Sequence, residues 1–122
     1  MLPPNAFEQR KFERHMLKWK AAIVFERAGI RTVIHGTTQD VSIMGTAVLT
    51  DRNTGLPEKV TVYLAVPPRK VSDPKTVVEV ACHMRSIVFS SNQNCFRVSY
   101  EFEKFMGNSR KVLESILSEY VV

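Results

Sequence analysis

Cysteine is scarce: the 122 residues hold two, Cys82 and Cys95, with no further cysteine to complete a metal site and no ligand spacing between them. Both therefore count as small apolar side chains rather than as half of a disulfide framework or a zinc cluster. Long apolar runs are missing too, and nothing approaches the roughly 18 continuous apolar residues of a membrane helix. The opening stretch MLPPNAFEQRKFERH lacks the apolar centre of a secretory signal, so the expected compartment is the cytoplasm and no membrane insertion is expected. Repeats and low-complexity tracts are absent. No serine sits in the glycine-flanked turn of a nucleophile elbow, and His15, His35 and His83 are scattered. A triad of Ser42, His35 and Asp40 thus has neither its elbow nor an oxyanion motif, and no enzymatic activity is expected.

What the chain does have is ordinary globular composition with an excess of positive charge. Hydrophobic residues make up 44% and charged residues 24%, the averages for one packed domain of this size. The formal charge of +5 points toward an anionic partner. Its distribution is more telling than its size: between Glu8 and Lys20 five Lys or Arg face two Glu. A phosphate-bearing ligand would meet a local positive field there.

Period-two alternation dominates the middle of the sequence. Val60, Val62, Leu64 and Val66 form one series; Val78, Val80, Cys82 and Met84 a second; Phe96, Val98, Tyr100 and Phe102 a third. Each reads as a half-buried strand, and turn signals at 27–29, 51–57, 67–75 and 90–94 separate them. Short strands at this spacing predict a mostly β fold, a small antiparallel barrel or sandwich whose last two strands form a hairpin. After Gly107-Asn108-Ser109, positions suited to ending a strand and capping a helix, the residues Val112, Leu113, Ile116, Leu117 and Tyr120 follow helical spacing. The segment from Asn5 to Gly29 fits two readings. Phe12, Met16, Trp19 and Ile23 make a helical stripe, whereas Leu17, Trp19, Ala21, Ile23 and Phe25 alternate as a strand does.

The stretch QDVSIMGTA places Asp40, Ser42 and Gly45 in a D-x-S-x-x-G pattern inside an apolar, strand-like run. In an extended chain Asp40 and Ser42 leave one face while Val41 and Ile43 leave the other. Gly45 suits a positive φ or a close backbone approach. Turn chemistry alone would account for such a trio. Upstream, Arg10 and Arg14 form R-x-x-x-R, with 25 residues between Arg14 and Asp40. An arginine fork pairs with two adjacent acceptors or grips a phosphate, and a carboxylate takes two adjacent donors.

R-x-x-x-R, a spacer of about one β-hairpin, then D-x-S-x-x-G resembles the PilZ family, small β-barrel receptors of the bacterial second messenger cyclic di-GMP. The resemblance extends over nearly the whole chain. It implies a six-stranded antiparallel barrel over 17–105, an arginine-bearing segment over 1–16 and a C-terminal α-helix over 106–122, all in one domain. Leu17 to Phe25 then becomes a strand. It further implies that Arg10, Arg14, Asp40, Ser42 and Gly45 bind cyclic di-GMP, with no catalytic residue, metal or other cofactor. In this family the residue before the first arginine, here Gln9, bears on whether one nucleotide or an intercalated pair is bound. The last strand, NCFRVSYEF, lacks a glycine that many members carry. No fused output domain is evident, so a protein effector is expected as the partner. Two alternatives stand beside this reading: a single-stranded nucleic-acid-binding barrel, disfavoured because Phe and Tyr fall mostly on core-periodic positions, and a PilZ-like adaptor that binds no nucleotide. Arg31, Arg85 and Arg97 receive no role from sequence.

Overall fold

The computed structural model describes residues 13–53, 55, 57–68, 70 and 72–120. Six strands follow in chain order: β1 (Lys20–Arg27), β2 (Ile30–Val41), β3 (Gly45–Thr50), β4 (Lys59–Val66), β5 (Thr76–Ser90) and β6 (Cys95–Phe105), and then one helix, α1 (Ser109–Ser118). They close into an antiparallel barrel in the order β1-β2-β3-β6-β5-β4. The predicted barrel with a C-terminal helix is the observed architecture.

Local chemistry sets the connections. Ala28 and Gly29 both take positive φ, 52° and 77°, which gives the tight two-residue turn whose twist matches flanking antiparallel strands. Asn94, also at φ 52°, closes the turn between β5 and β6. In the 51–57 loop the Asn53 side chain accepts the Gly55 N–H at 2.8 Å, an Asx turn. Gly107, at φ 56°, turns the chain from β6 into α1. Asn108 occupies the helix N-cap without a side-chain hydrogen bond, contrary to the expected cap. Ser109 is used instead as a stitch, its Oγ accepting the Glu79 N–H of β5 at 3.0 Å.

The alternating positions fill the barrel. Ile23, Val41, Val48, Val62, Leu64, Val78, Val80 and Val98 are fully excluded from solvent, and Trp19, Cys82 and Tyr100 are buried beside them. Leu113 and Leu117 of α1 belong to the same cluster, with Val112 and Ile116 packed at its edge, so the helix covers the barrel with its apolar stripe. Tyr120 stays partly exposed.

Two boundaries differ from expectation: the helix begins at Ser109 and not at 106, because Gly107 at φ 56° still turns the chain there. The first strand starts at Lys20 and not at Leu17. The cause lies in β2, where the register with β3 slips between Thr38 and Asp40. Around that irregularity Thr38 serves the preceding chain by side chain as well as backbone: its hydroxyl accepts the Trp19 N–H at 2.8 Å and donates to the Leu17 carbonyl, while its N–H donates to Trp19 O at 2.8 Å. Leu17 to Trp19 is thus fastened to β2 without the regular ladder of a strand.

Candidate ligand-binding site

A cleft of about 360 Å³ opens on the barrel wall where β2, β3, β5 and β6 run side by side. Arg14, Asp40, Ser42 and Gly45 all line it, together with Arg85 and Arg97. Its size falls at the lower end of the ~300–1,000 Å³ usual for small-molecule sites.

Arg14 reaches the cleft because of its neighbour. His15 and Val41 exchange both backbone hydrogen bonds, each 2.9 Å, which lays the chain before β1 against the end of β2. The exposed Arg14 is thereby placed next to the strand that carries Asp40. Arg10, the other arginine expected here, lies outside the described residues, as does Gln9.

Asp40 is nearly buried, 8% exposed. Its backbone carbonyl accepts the Thr46 hydroxyl at 2.6 Å, and its carboxylate lies 3.7 Å from Nη2 of Arg97. Arg97 is held in turn: Nε donates to Gln39 Oε1 at 2.6 Å and Nη1 to Ser99 Oγ at 3.3 Å. Across the cleft Arg85 faces Glu101 at 4.0 Å, with both side chains about half exposed.

Ser42 and Gly45 work mainly on the backbone. Ser42 Oγ accepts the N–H groups of Met44 and Gly45, each at 3.1 Å, and the Ser42 N–H donates to Gly45 O at 2.9 Å. The serine builds the turn from β2 to β3, and its two acceptor lone pairs are engaged there. Gly45 does not adopt a positive φ. It is needed for close approach, because a Cβ would stand 2.3 Å from the Tyr100 carbonyl oxygen on β6. Turn chemistry and site geometry therefore coincide in the D-x-S-x-x-G stretch.

Arg85, Arg97, Gln39 and Ser99 are the lining or supporting residues that sequence reading left without a role. Alternation alone puts Arg97, Ser99 and Glu101 on the face opposite Val98 and Tyr100, but only the β3–β6 register sets that face beside Gly45 and Ala47. Arg31 lies elsewhere, opposite Glu26 in the β1–β2 hairpin. His35 is exposed on β2 opposite Ala22, and His83 faces Glu103 at 3.6 Å, so neither joins Ser42. Among the described residues no group of three or more His, Cys, Asp or Glu side chains is placed to hold a metal ion, and no helix is long and apolar enough to cross a membrane.

The cleft lies on a barrel with known counterparts. The Bacillus subtilis inhibitor of motility (MotI/DgrA) superposes with a TM-score of 0.70 at 15% identity, over 91% of this chain and 50% of that one. The PilZ domain of YcgR from Escherichia coli, solved with c-di-GMP, gives 0.62 at 14% identity over 91% of this chain and 90% of the domain. The fold is PilZ-like. MrkH from K. pneumonia, in complex with c-di-GMP, gives 0.60 at 14% identity over 91% and 51%. This PilZ-like chain spans about half the length of MotI and MrkH and nearly all of the isolated YcgR domain. No family model matches its sequence. No curated protein matches it either.

Proposed function

We propose that this chain is a non-enzymatic receptor for cyclic di-GMP that signals to a protein effector. The observation that carries the reading is the meeting of Arg14 and the Asp40 carboxylate in one cleft, floored by Gly45. Asp40 accepts the N1–H and N2–H donors of one guanine as a pair. Arg14, with Arg10, binds the O6/N7 edge or a phosphate. Ser42 contributes through the turn it builds: its hydroxyl accepts the Met44 and Gly45 N–H groups and donates to the Gly45 carbonyl at 3.3 Å, which holds Asp40 and Gly45 at fixed separation. The barrel fold shared with two proteins solved with c-di-GMP supports the same ligand class.

The test is calorimetry of the purified chain with cyclic di-GMP and cyclic di-AMP. Preference for the guanine ligand is expected, because adenine lacks the paired donors that Asp40 takes. Asp40→Ala should lower affinity about ten- to a hundredfold, corresponding to the ~1.5–3 kcal/mol of a charged hydrogen bond. Equal affinity for the two dinucleotides would remove the base-reading role of Asp40, and no binding of either would end the receptor reading.

A further inference from the structure

Asp40 and Arg14 occupy the β2 side of the cleft, whereas Arg97 projects from β6 and Arg85 from β5, two and three strands away in the sheet order. With strands about 4.8 Å apart, the backbones of β2 and of β6 and β5 are separated by roughly 10–14 Å, and the Arg97 side chain reaches back across that gap to Gln39 and to within 3.7 Å of Asp40. Between them the wall is made of small residues, Gly45, Ala47 and Ser99.

Each of these arginines has a device that aims it. The ladder between β5 and β6 slips between Met84 and Ser86, which leaves Arg85 as the extra residue of a bulge, an irregularity that redirects a side chain. Arg97 is oriented by Gln39, the residue at the irregularity of β2, and by Ser99. A guanidinium has five N–H donors. Arg97 directs one to Gln39 and one to Ser99, and the Asp40 oxygen 3.7 Å away is an ion-pair neighbour beyond hydrogen-bond range, so donors remain available toward the cleft. Arg85 is 60% exposed and its contact with Glu101, at 4.0 Å, is equally loose.

We propose that Arg85 and Arg97 form a phosphate subsite on the barrel wall, in which Arg97 is oriented before ligand arrives, and that these arginines act in addition to the R-x-x-x-R segment. The subsite rests on the receptor reading for its natural ligand, one phosphodiester of the cyclic dinucleotide, which would lie beside the guanine taken by Asp40. Arg97 then has two tasks, since it neutralises Asp40 from behind while presenting N–H groups to phosphate.

The experiment follows the arginine Nε–H resonances of the ¹⁵N-labelled full chain during separate titrations with cyclic di-GMP and with inorganic pyrophosphate. Signals of Arg85 and Arg97 should move with both probes, and Arg85→Gln and Arg97→Gln should each weaken the dinucleotide about tenfold with a shallower salt dependence. Arg85 is an exposed position whose glutamine variant places no demand on folding, so its result stands even where Arg97→Gln is destabilised. Movement with pyrophosphate alone would support the subsite and sink cyclic di-GMP as its ligand. Dinucleotide affinity within twofold of wild type in both variants would overturn the subsite and leave the receptor reading intact. Resonances of Arg85 and Arg97 that stay still with both probes would overturn it as well.

Discussion

The ring of His15 lies against the ring of Tyr120, with centroids 6.0 Å apart and planes tilted by 49°. The contact joins the two ends of the described chain: His15 follows Arg14 at the cleft, and Tyr120 stands just past the end of α1. Any movement of the arginine segment on binding is thus felt at the helix terminus. Tyr120→Ala removes the contact but no core residue. A ring pair of this kind contributes about 0.5–1.5 kcal/mol. Hydrogen exchange at the Val41 amide, which donates to His15 O, should accelerate roughly two- to tenfold in the variant. An unchanged rate would show that His15 is held by its backbone bridge alone and that the helix end has no purchase on the cleft.

The helix itself is fixed to the barrel by Leu113, which is wholly excluded from solvent within the core cluster. A helix of 10 residues is too short to persist unpacked, so its stability is borrowed from this burial. Leu113→Ala should cost about 2–5 kcal/mol in urea denaturation, and deletion of 109–122 at least as much. Loss of less than about 1 kcal/mol would mean that the stripe is reserved for another protein.

Much of this was legible in the residues, for reasons that differ from element to element. Val60, Val62 and Leu64 alternate because one face of β4 meets the core, and that needs no knowledge of the partner strand. The helical stripe of α1 is equally local. Leu17 was misplaced in a strand because the decisive interaction is made by Thr38, distant in sequence, whose hydroxyl substitutes for a ladder bond. Within the site, Asp40 and Ser42 could be seen to share a neighbourhood, but the need for Gly45 arises from the Tyr100 carbonyl on another strand. Arg97 was invisible as a site residue for the same reason. Its position depends on strand order, which alternation does not encode.

Cys82 provides a pH test of the core. Burial pushes its thiol up from an ordinary 9.0 to about 12, the Glu103 charge adds to this, and a backbone hydrogen bond at Val62 offsets part of it. The folded state therefore holds the thiol proton more tightly than the unfolded chain does. The contribution is fully present below pH 9, and is lost as pH rises from there toward about 12. Urea midpoints of wild type should fall between pH 9 and 11 more steeply than those of Cys82→Ala, by roughly 2–3 kcal/mol in all. Parallel curves would show that the thiolate is accommodated in the barrel. At pH 8 a thiol reagent should label the half-buried Cys95 and spare Cys82 until the protein unfolds.

Gly45 separates the demands of the site from those of the barrel. In Gly45→Ala the new methyl would meet Tyr100 O at 2.3 Å, a backbone atom of β6, so a strand must move. Overpacking of this sort costs about 1–3 kcal/mol and lowers the melting temperature by several degrees. Gly36→Ala makes a matched control, because its methyl would meet Leu49 O at 2.5 Å and Val48 Cγ1 at 2.8 Å, within the β2–β3 wall and away from the cleft lining. Both variants should lose stability to a similar degree. Only Gly45→Ala should also lose affinity for cyclic di-GMP, by tenfold or more, since displacing Gly45 disturbs the hydrogen bonds with Ser42 that shape the turn beside Asp40. Equal losses of affinity in the two proteins, measured well below both melting temperatures, would assign the effect to general loosening of the barrel and leave Gly45 with no role of its own in the site.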